Sequence, residues 1–189
     1  MHSHCRQTRR SAPRGSRGFT MIELMITVAL VAIVLSLAYP SFVSVINSNR
    51  LAGASNDLIG DLQYARSEAI RRNSRVSVCA SADGSTCGGG NWTNWIVRVG
   101  NPAEVLRTGS AKQPVQLLAS AAVGASGVTF RSDGMARTAA GLLLDASFAA
   151  CIPTTNPKEN ARVIRLGFGS RVMTTKENGG GACAAPADK

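Results

Sequence analysis

Residues 17–39, RGFTMIELMITVALVAIVLSLAY, form the stretch around which this chain is organised. After Arg17 the run is apolar and contains one charged residue, Glu23. At about 1.5 Å per residue, a helix over residues 19–39 would be roughly 30 Å long, which matches the hydrocarbon core of a membrane. The sequence therefore predicts a transmembrane helix segment at residues 19–39.

A basic leader precedes the apolar run. Residues 1–18 contain five arginines and no acidic residue, so they supply half of the formal net charge of +10. Such clusters stay on the cytoplasmic side, which places the rest of the chain across the membrane. A secretory signal has its apolar region before the cleavage site. Here cleavage after Gly18 would remove the charges and keep the span.

Glu23 is costly within an apolar span. A carboxylate at membrane depth costs on the order of 2.5–3.5 kcal/mol on insertion scales, and its own span offers no counter-charge. A new N-terminal amine at Phe19 of a neighbouring subunit would lie at nearly the same depth and would fix the axial register between subunits. In the alternative interpretation, Glu23 lies near the membrane interface and is solvated by headgroups.

Residues 40–73 predict an amphipathic continuation of the same helix. Apolar or small residues recur at steps of 4, 3, 4, 3 and 4, and they are Leu51, Ser55, Leu58, Leu62, Ala65 and Ala69. This spacing gives one buried helix face that would pack on a sheet. Pro40 removes a helix hydrogen bond, so a kink or local melting is expected there. Asn73 and Ser74 are expected to end the helix.

Residues 74–189 predict a domain of short β-strands. The candidate strands are 75–80, 95–99, 115–118, 128–131, 135–138, 141–146, 162–166 and 171–174. Asp133-Gly134 between two of them is a hairpin signal. One long helix followed by many short strands predicts an α+β fold, with the helix packed on antiparallel sheets. The Gly/Ala-rich tail is expected to be loose beyond Cys183.

Four cysteines lie beyond the leader, namely Cys79, Cys87, Cys151 and Cys183. Four cysteines without CxxC spacing, in a domain outside the cytoplasm, favour two disulfide bonds. Four cysteines can be paired in three ways. We expect Cys79–Cys87, which brackets a Gly-rich loop, and Cys151–Cys183, which would hold the tail. Buried free thiols are the alternative.

The chain beyond residue 4 contains no histidine. This excludes Ser-His-Asp and Cys-His catalysis, HExxH sites and histidine-ligated zinc from the domain. No nucleophile, cofactor or metal motif is recognisable. The sequence therefore favours a structural or binding protein over an enzyme.

The run Gly18-Phe19-Thr20-Met21-Ile22-Glu23-Leu24 resembles the class III signal of type IV pilins and pseudopilins. The resemblance implies that a prepilin peptidase cuts after Gly18, so residues 1–18 would be a leader peptide. It also implies N-methylation of Phe19 and a role for Glu23 in assembly with other pilin or pseudopilin subunits. The chain would be a single-pass inner-membrane protein with a cytoplasmic N-terminus and a periplasmic domain at residues 74–189.

Two β segments narrow the resemblance. GVTFRSDGMA (127–136) and the basic stretch RVIRLGFGSRVMTTK (162–176) are similar to the GspH/FimT group of minor pilins. In the FimT branch a C-terminal Gly-Arg-x-Arg motif is associated with DNA uptake. Residues 169–173 read GSRVM, so one arginine of that motif, Arg171, is retained and the second is absent.

Basic residues near this motif are candidates for binding DNA. They are Arg162, Arg165, Arg171 and Lys176. Clustered basic residues would grip phosphates without regard to base sequence. However, Arg162 and Arg165 are three residues apart and should face opposite sides of a strand. Solvated strand faces on a basic protein are the alternative.

Three functions are consistent with these features. The first is a FimT-like minor pilin of a type IV pilus, with binding of double-stranded DNA during natural transformation as an additional expected role. The second is a GspH-like minor pseudopilin of the type II secretion system. The third, from another class, is a membrane-anchored DNA receptor that does not polymerise and has no need of Glu23.

Overall fold

The computed structural model describes residues 18–88, 91–100, 103–138 and 140–188. The chain divides between Tyr39 and Pro40 into two compact units. One helix, α1 (Met21–Arg71), contributes residues to both units, and the strands belong to the second. Apart from Gly18, the predicted leader lies outside the described residues.

Both ends of α1 are set by local hydrogen bonds. At the start, the Thr20 carbonyl accepts from Leu24 N at 3.1 Å and the Thr20 hydroxyl accepts from Glu23 N at 3.3 Å, as in an N-cap. At the end, Asn73 has a φ of 49°. Asn73 N donates to the Ile70 carbonyl and Ser74 N donates to the Ala69 carbonyl, which is the Schellman pattern. The predicted stop at Asn73 and Ser74 is confirmed.

A kink or local melting was expected at Pro40; the local melting is wrong, because Pro40 lies inside α1. Proline deprives the helix of one donor, but its fixed φ is compatible with helical geometry. In the second unit, Asn156 Nδ2 donates to the Pro40 carbonyl at 2.8 Å. This side-chain contact ties the Pro40 backbone to the domain.

The predicted apolar face of α1 is confirmed. All six residues of the expected stripe are buried: Leu51, Ser55, Leu58, Leu62, Ala65 and Ala69. All but Ser55 belong to one hydrophobic cluster that also contains residues from seven of the nine strands described below. The other two strands, β3 and β9, each pack one partly buried residue against it. The helix therefore supplies one wall of the core.

Nine strands follow the helix. They are β1 (Val76–Ala80), β2 (Asn94–Val99), β3 (Glu104–Ser110), β4 (Gln116–Ala119), β5 (Val128–Phe130), β6 (Ala136–Arg137), β7 (Ala146–Cys151), β8 (Ala161–Gly167) and β9 (Arg171–Glu177). The first sheet has the order β3-β2-β1-β5-β6, and the second has the order β4-β7-β8-β9. Neighbouring strands pair antiparallel. The predicted α+β class and the hairpin around Asp133-Gly134 are both confirmed.

One strand was missed and one was misplaced. β3 was not predicted, because this edge strand mixes polar and apolar residues and most of it is exposed or half-buried. The strand predicted at 141–146 begins instead at Ala146. Leu142 is 70% exposed, so the apolar run there belongs to a loop.

Both expected disulfides are present, Cys79–Cys87 and Cys151–Cys183. The tail after Cys183 is less free than expected. It borders a cleft of about 200 Å³ on the outer face of the second sheet, beside Ala149 and Val163. Near its end the Asp188 carboxylate accepts from Ala122 N at 3.1 Å. The tail therefore covers part of the second sheet.

Candidate functional site

Residues 21–39 of the first unit form an apolar helix segment that is exposed at every position except the half-buried Ala38. No residue of its most apolar window is buried, and α1 is long and apolar enough to cross a membrane. Phe19 is 79% exposed, and apolar side chains from Met21 to Tyr39 are exposed on all sides. Water does not stabilise such a surface, so lipid or other apolar helices must cover it.

Glu23 stands in the first turn of this segment, three residues after the N-cap Thr20. A Thr-x-x-Glu spacing is typical of a capping box, and an acid in the first turn favourably opposes the positive end of the helix dipole. Among the residues that the structure describes, no basic side chain lies within ion-pair distance of the Glu23 carboxylate. The side chain is exposed and can therefore meet a group from outside its own chain.

Arg162 does not belong to an exposed basic surface. It is 6% exposed and lies on the side of β8 that faces α1. Its guanidinium donates to the Ser48 hydroxyl on α1 at 3.0 Å and to the carbonyls of Glu159 and Ala161. The prediction that Arg162 binds DNA is therefore wrong, because these bonds hold the helix to the second sheet.

The remaining basic candidates are divided between the two faces of the second sheet. Arg171 and Lys176 are exposed on the edge strand β9. Arg165 is opposite Met173 and projects with Arg171 from the outer face, whereas Lys176 is opposite Arg162 and lies on the other face. Arg165 also lies 3.7 Å from Glu177. The structure thus brings together Arg165 and Arg171 and separates them from Lys176.

A buried polar contact that the sequence did not reveal joins α1 to the first sheet. Asp61 accepts a hydrogen bond from Trp95 Nε1 at 2.8 Å, and its other oxygen lies 3.2 Å from Arg107. Asp61 and Trp95 are both buried. The Arg107 guanidinium also lies over the Tyr64 ring at 4.9 Å. These groups fix the helix on the sheet, and both oxygens of Asp61 are engaged.

Three carboxylates have lowered pKa values for structural reasons. Hydrogen bonds from Arg71 and then Arg72 lower the pKa of Glu68 from 4.5 to about 2. The backbone N–H groups after Asp83 hold the pKa of its carboxyl well below its usual range within the loop closed by Cys79–Cys87. The Arg137 guanidinium lowers the pKa of Asp133. All three stay ionised near neutral pH.

The described residues contain no group of three histidine, cysteine, aspartate or glutamate side chains that could hold a metal ion. One open cleft between α1 and the first sheet is lined by Asp61, which is paired with Arg107, and by Asp57, which is exposed. The arrangement is that of an exposed apolar helix segment followed by a packed helix-and-sheet domain. This architecture is pilin-like.

Comparisons with known proteins identify the family. The family described as Type II transport protein GspH matches residues 54–167, and the prokaryotic N-terminal methylation motif matches residues 13–39. The chain therefore belongs to the GspH family, which consists of structural minor pilins and pseudopilins. No curated protein matches the chain significantly.

Solved structures share the fold. The type IV minor pilin FimU of Pseudomonas aeruginosa matches with a TM-score of 0.50 and 22% identity, over 66% of this chain and 92% of FimU. The minor pseudopilin EpsH from the type II secretion system of Vibrio cholerae matches with a TM-score of 0.50 and 10% identity, over 67% of this chain and 97% of EpsH.

Proposed function

We propose that the chain is a minor pilin of a type IV pilus. In this proposal it is cut between Gly18 and Phe19, methylated at Phe19, held in the inner membrane by residues 19–39, and drawn into a filament through that segment and Glu23. The observation that carries the proposal is the exposed apolar segment, with its single acid, attached to a folded domain of the GspH family.

The carboxylate of Glu23 would favour association of the segment with a neighbouring subunit. In lipid, its carboxylate is destabilised unless it meets a positive charge. The processed amine of Phe19 would be four residues away on the same chain and at a similar depth on a neighbouring chain. A neighbour shifted along the filament axis would bring its amine to Glu23. This pairing would favour one register among the many that apolar packing alone allows.

The charge of the domain bears on the choice between pilus and secretion system. The domain beyond the leader is basic, which favours a pilus that meets polyanions. A minor pseudopilin of the type II secretion system is the alternative, and the fold is shared by members of both systems. A run of other minor pilin genes beside this gene would favour the pilus, whereas a secretion operon would favour the alternative.

Substitution of Glu23 tests the assembly role. Glu23→Ala should insert into the membrane at least as well as the unchanged chain, because it removes a costly charge. We expect it to co-purify far less with other pilin subunits. Ser36→Ala, which removes another polar group from the same segment, is the matched control and should assemble normally. Normal assembly of Glu23→Ala would refute the role of Glu23. If the unchanged chain also failed to co-purify with other pilin subunits, the non-polymerising receptor would be favoured.

DNA binding is a second hypothesis, now supported by fewer residues. Arg165 and Arg171 share the outer face of the second sheet, and Lys176 lies on the opposite face of β9. Charge reversal at Arg165 and Arg171 should weaken the binding of a duplex by the full chain in detergent, in a gel shift at low salt. Unchanged binding would exclude this surface as the DNA site.

A further inference from the structure

Four polar side chains form a row across the outer face of the first sheet. Arg98 on β2 is opposite Ser77 on β1, Ser77 is opposite Thr129 on β5, and Thr129 is opposite Arg137 on β6. Directly opposite residues in antiparallel strands project from the same face. The residues before and after them on β1, β2 and β5 belong mostly to the core, so the row points away from α1.

One end of the row opens into a cleft of about 440 Å³. Arg75 and Arg98 line this cleft together with Ser77 and Thr129. The Ser77 and Thr129 hydroxyl oxygens lie 2.8 Å apart and share one hydrogen bond. Because each hydroxyl carries one hydrogen, that bond leaves one of the two free to donate to a ligand. We call the cleft lined by Arg75, Ser77, Arg98 and Thr129 the outer-sheet cleft.

The positive charge of the outer-sheet cleft is not balanced. Within the described ranges, neither Arg75 nor Arg98 forms an ion pair, whereas Arg72, just after α1, and Arg107 on β3 pair with Glu68 and Asp61. At the far end of the row Arg137 is held by Asp133 at 2.8 Å. Two guanidinium groups at the open end therefore lack a protein counter-charge.

We propose that the outer-sheet cleft binds a phosphate group, presented either by a nucleic-acid backbone or as an isolated anion. Guanidinium groups match the oxygens of phosphate in a bidentate manner, and the free hydroxyl hydrogen adds a third kind of donor. The row extends over three strand spacings, about 14 Å, which is longer than one phosphate. A repeating phosphodiester backbone therefore fits the row better than a single anion.

This inference goes beyond the proposed assembly role and does not depend on Glu23. It also differs from the DNA-binding hypothesis for Arg165 and Arg171. Those two residues lie on the second sheet, whereas the outer-sheet cleft lies on the first. The two surfaces can therefore be tested in parallel on the same protein.

The test compares three variants of the full chain purified in non-ionic detergent. The first variant is Arg75→Gln/Arg98→Gln. The matched control is Arg50→Gln/Lys112→Gln, which removes the same charge from exposed positions elsewhere. The third variant reverses Arg165 and Arg171. Binding of a short labelled duplex is measured by anisotropy across a salt series, and binding of inorganic phosphate by phosphorus NMR line broadening.

We expect the first variant to bind the duplex about tenfold more weakly than the control, with a salt slope lower by about 2. Loss of inorganic phosphate binding alone would support the cleft as a site for isolated anions. The inference is overturned if the first variant equals the control with both probes. It is also overturned if only the Arg165/Arg171 variant loses binding, a result that would leave the β9 hypothesis standing.

Discussion

Substituting Asp61 removes the polar contact that anchors α1 to the first sheet. Asp61 is 6% exposed and accepts from the indole N–H of Trp95, which is 1% exposed. In Asp61→Ala the indole N–H is left buried without an acceptor. In Asp61→Asn a neutral oxygen can still accept this bond.

The expected loss of stability follows from the two partners of Asp61, which are Trp95 and Arg107. A buried donor without an acceptor costs about 1–3 kcal/mol. The Arg107 side chain is 51% exposed, so solvent screens its ion pair, which adds about 0–1 kcal/mol. We therefore expect Asp61→Ala to lower the free energy of unfolding by about 2 kcal/mol, equivalent to a Tm about 4–8 °C lower for a domain of this size. Asp61→Asn should cost less than half of this.

Thermal and urea unfolding, followed by tryptophan fluorescence, provide the assay. Asp57→Ala is the control, because Asp57 lies one helical turn earlier and is exposed. Its free energy of unfolding should change by no more than about 0.5 kcal/mol. If Asp61→Ala and Asp57→Ala were equally stable, the buried contact would not anchor the helix and the reasoning would be refuted.

Three further predictions concern the same domain. A Cβ at Gly109 would overlap the Trp95 indole, so Gly109→Ala should destabilise by about 1–3 kcal/mol in urea unfolding, and a neutral effect would contradict this packing. Replacing Cys151 and Cys183 by Ser opens a longer loop than replacing Cys79 and Cys87, so it should cost about 1 kcal/mol more, and the reverse order would disprove the loop-length argument. The lowered pKa of Glu68 stabilises the fold fully above pH 4.5 and progressively less as pH falls towards about 2; Glu68→Gln should therefore lose less stability than the unchanged chain across that interval of an acid titration.

Local patterns in the sequence were sufficient to predict the buried face of α1 and the residue at which it stops. The 3–4 spacing of small and apolar residues predicted the buried face of α1, and Asn73 predicted its stop. These features depend on neighbours within one or two turns. The Asp133-Gly134 turn is equally local, since Asp133 accepts from Met135 N at 2.9 Å and Gly134 has a φ of 73°.

Features that depend on distant partners were missed. β7 is buried along its whole length, because the core covers one face and the tail borders the other, so it lacks the alternation that marks a strand. Asp61 resembles an exposed helix residue until Trp95, 34 positions later, is placed beside it. The two-residue period of a strand correctly separated Arg162 from Arg165, but it could not tell which of them would face α1.

The N-terminus of the protein in the assembled state tests the central claim most directly. Intact-mass and fragment mass spectrometry of the chain purified from membranes or filaments identifies its first residue and any modification. The account predicts a chain that begins at Phe19, with a methylated amine and the apolar segment retained. An intact Met1, or a cut after residue 39, would contradict it.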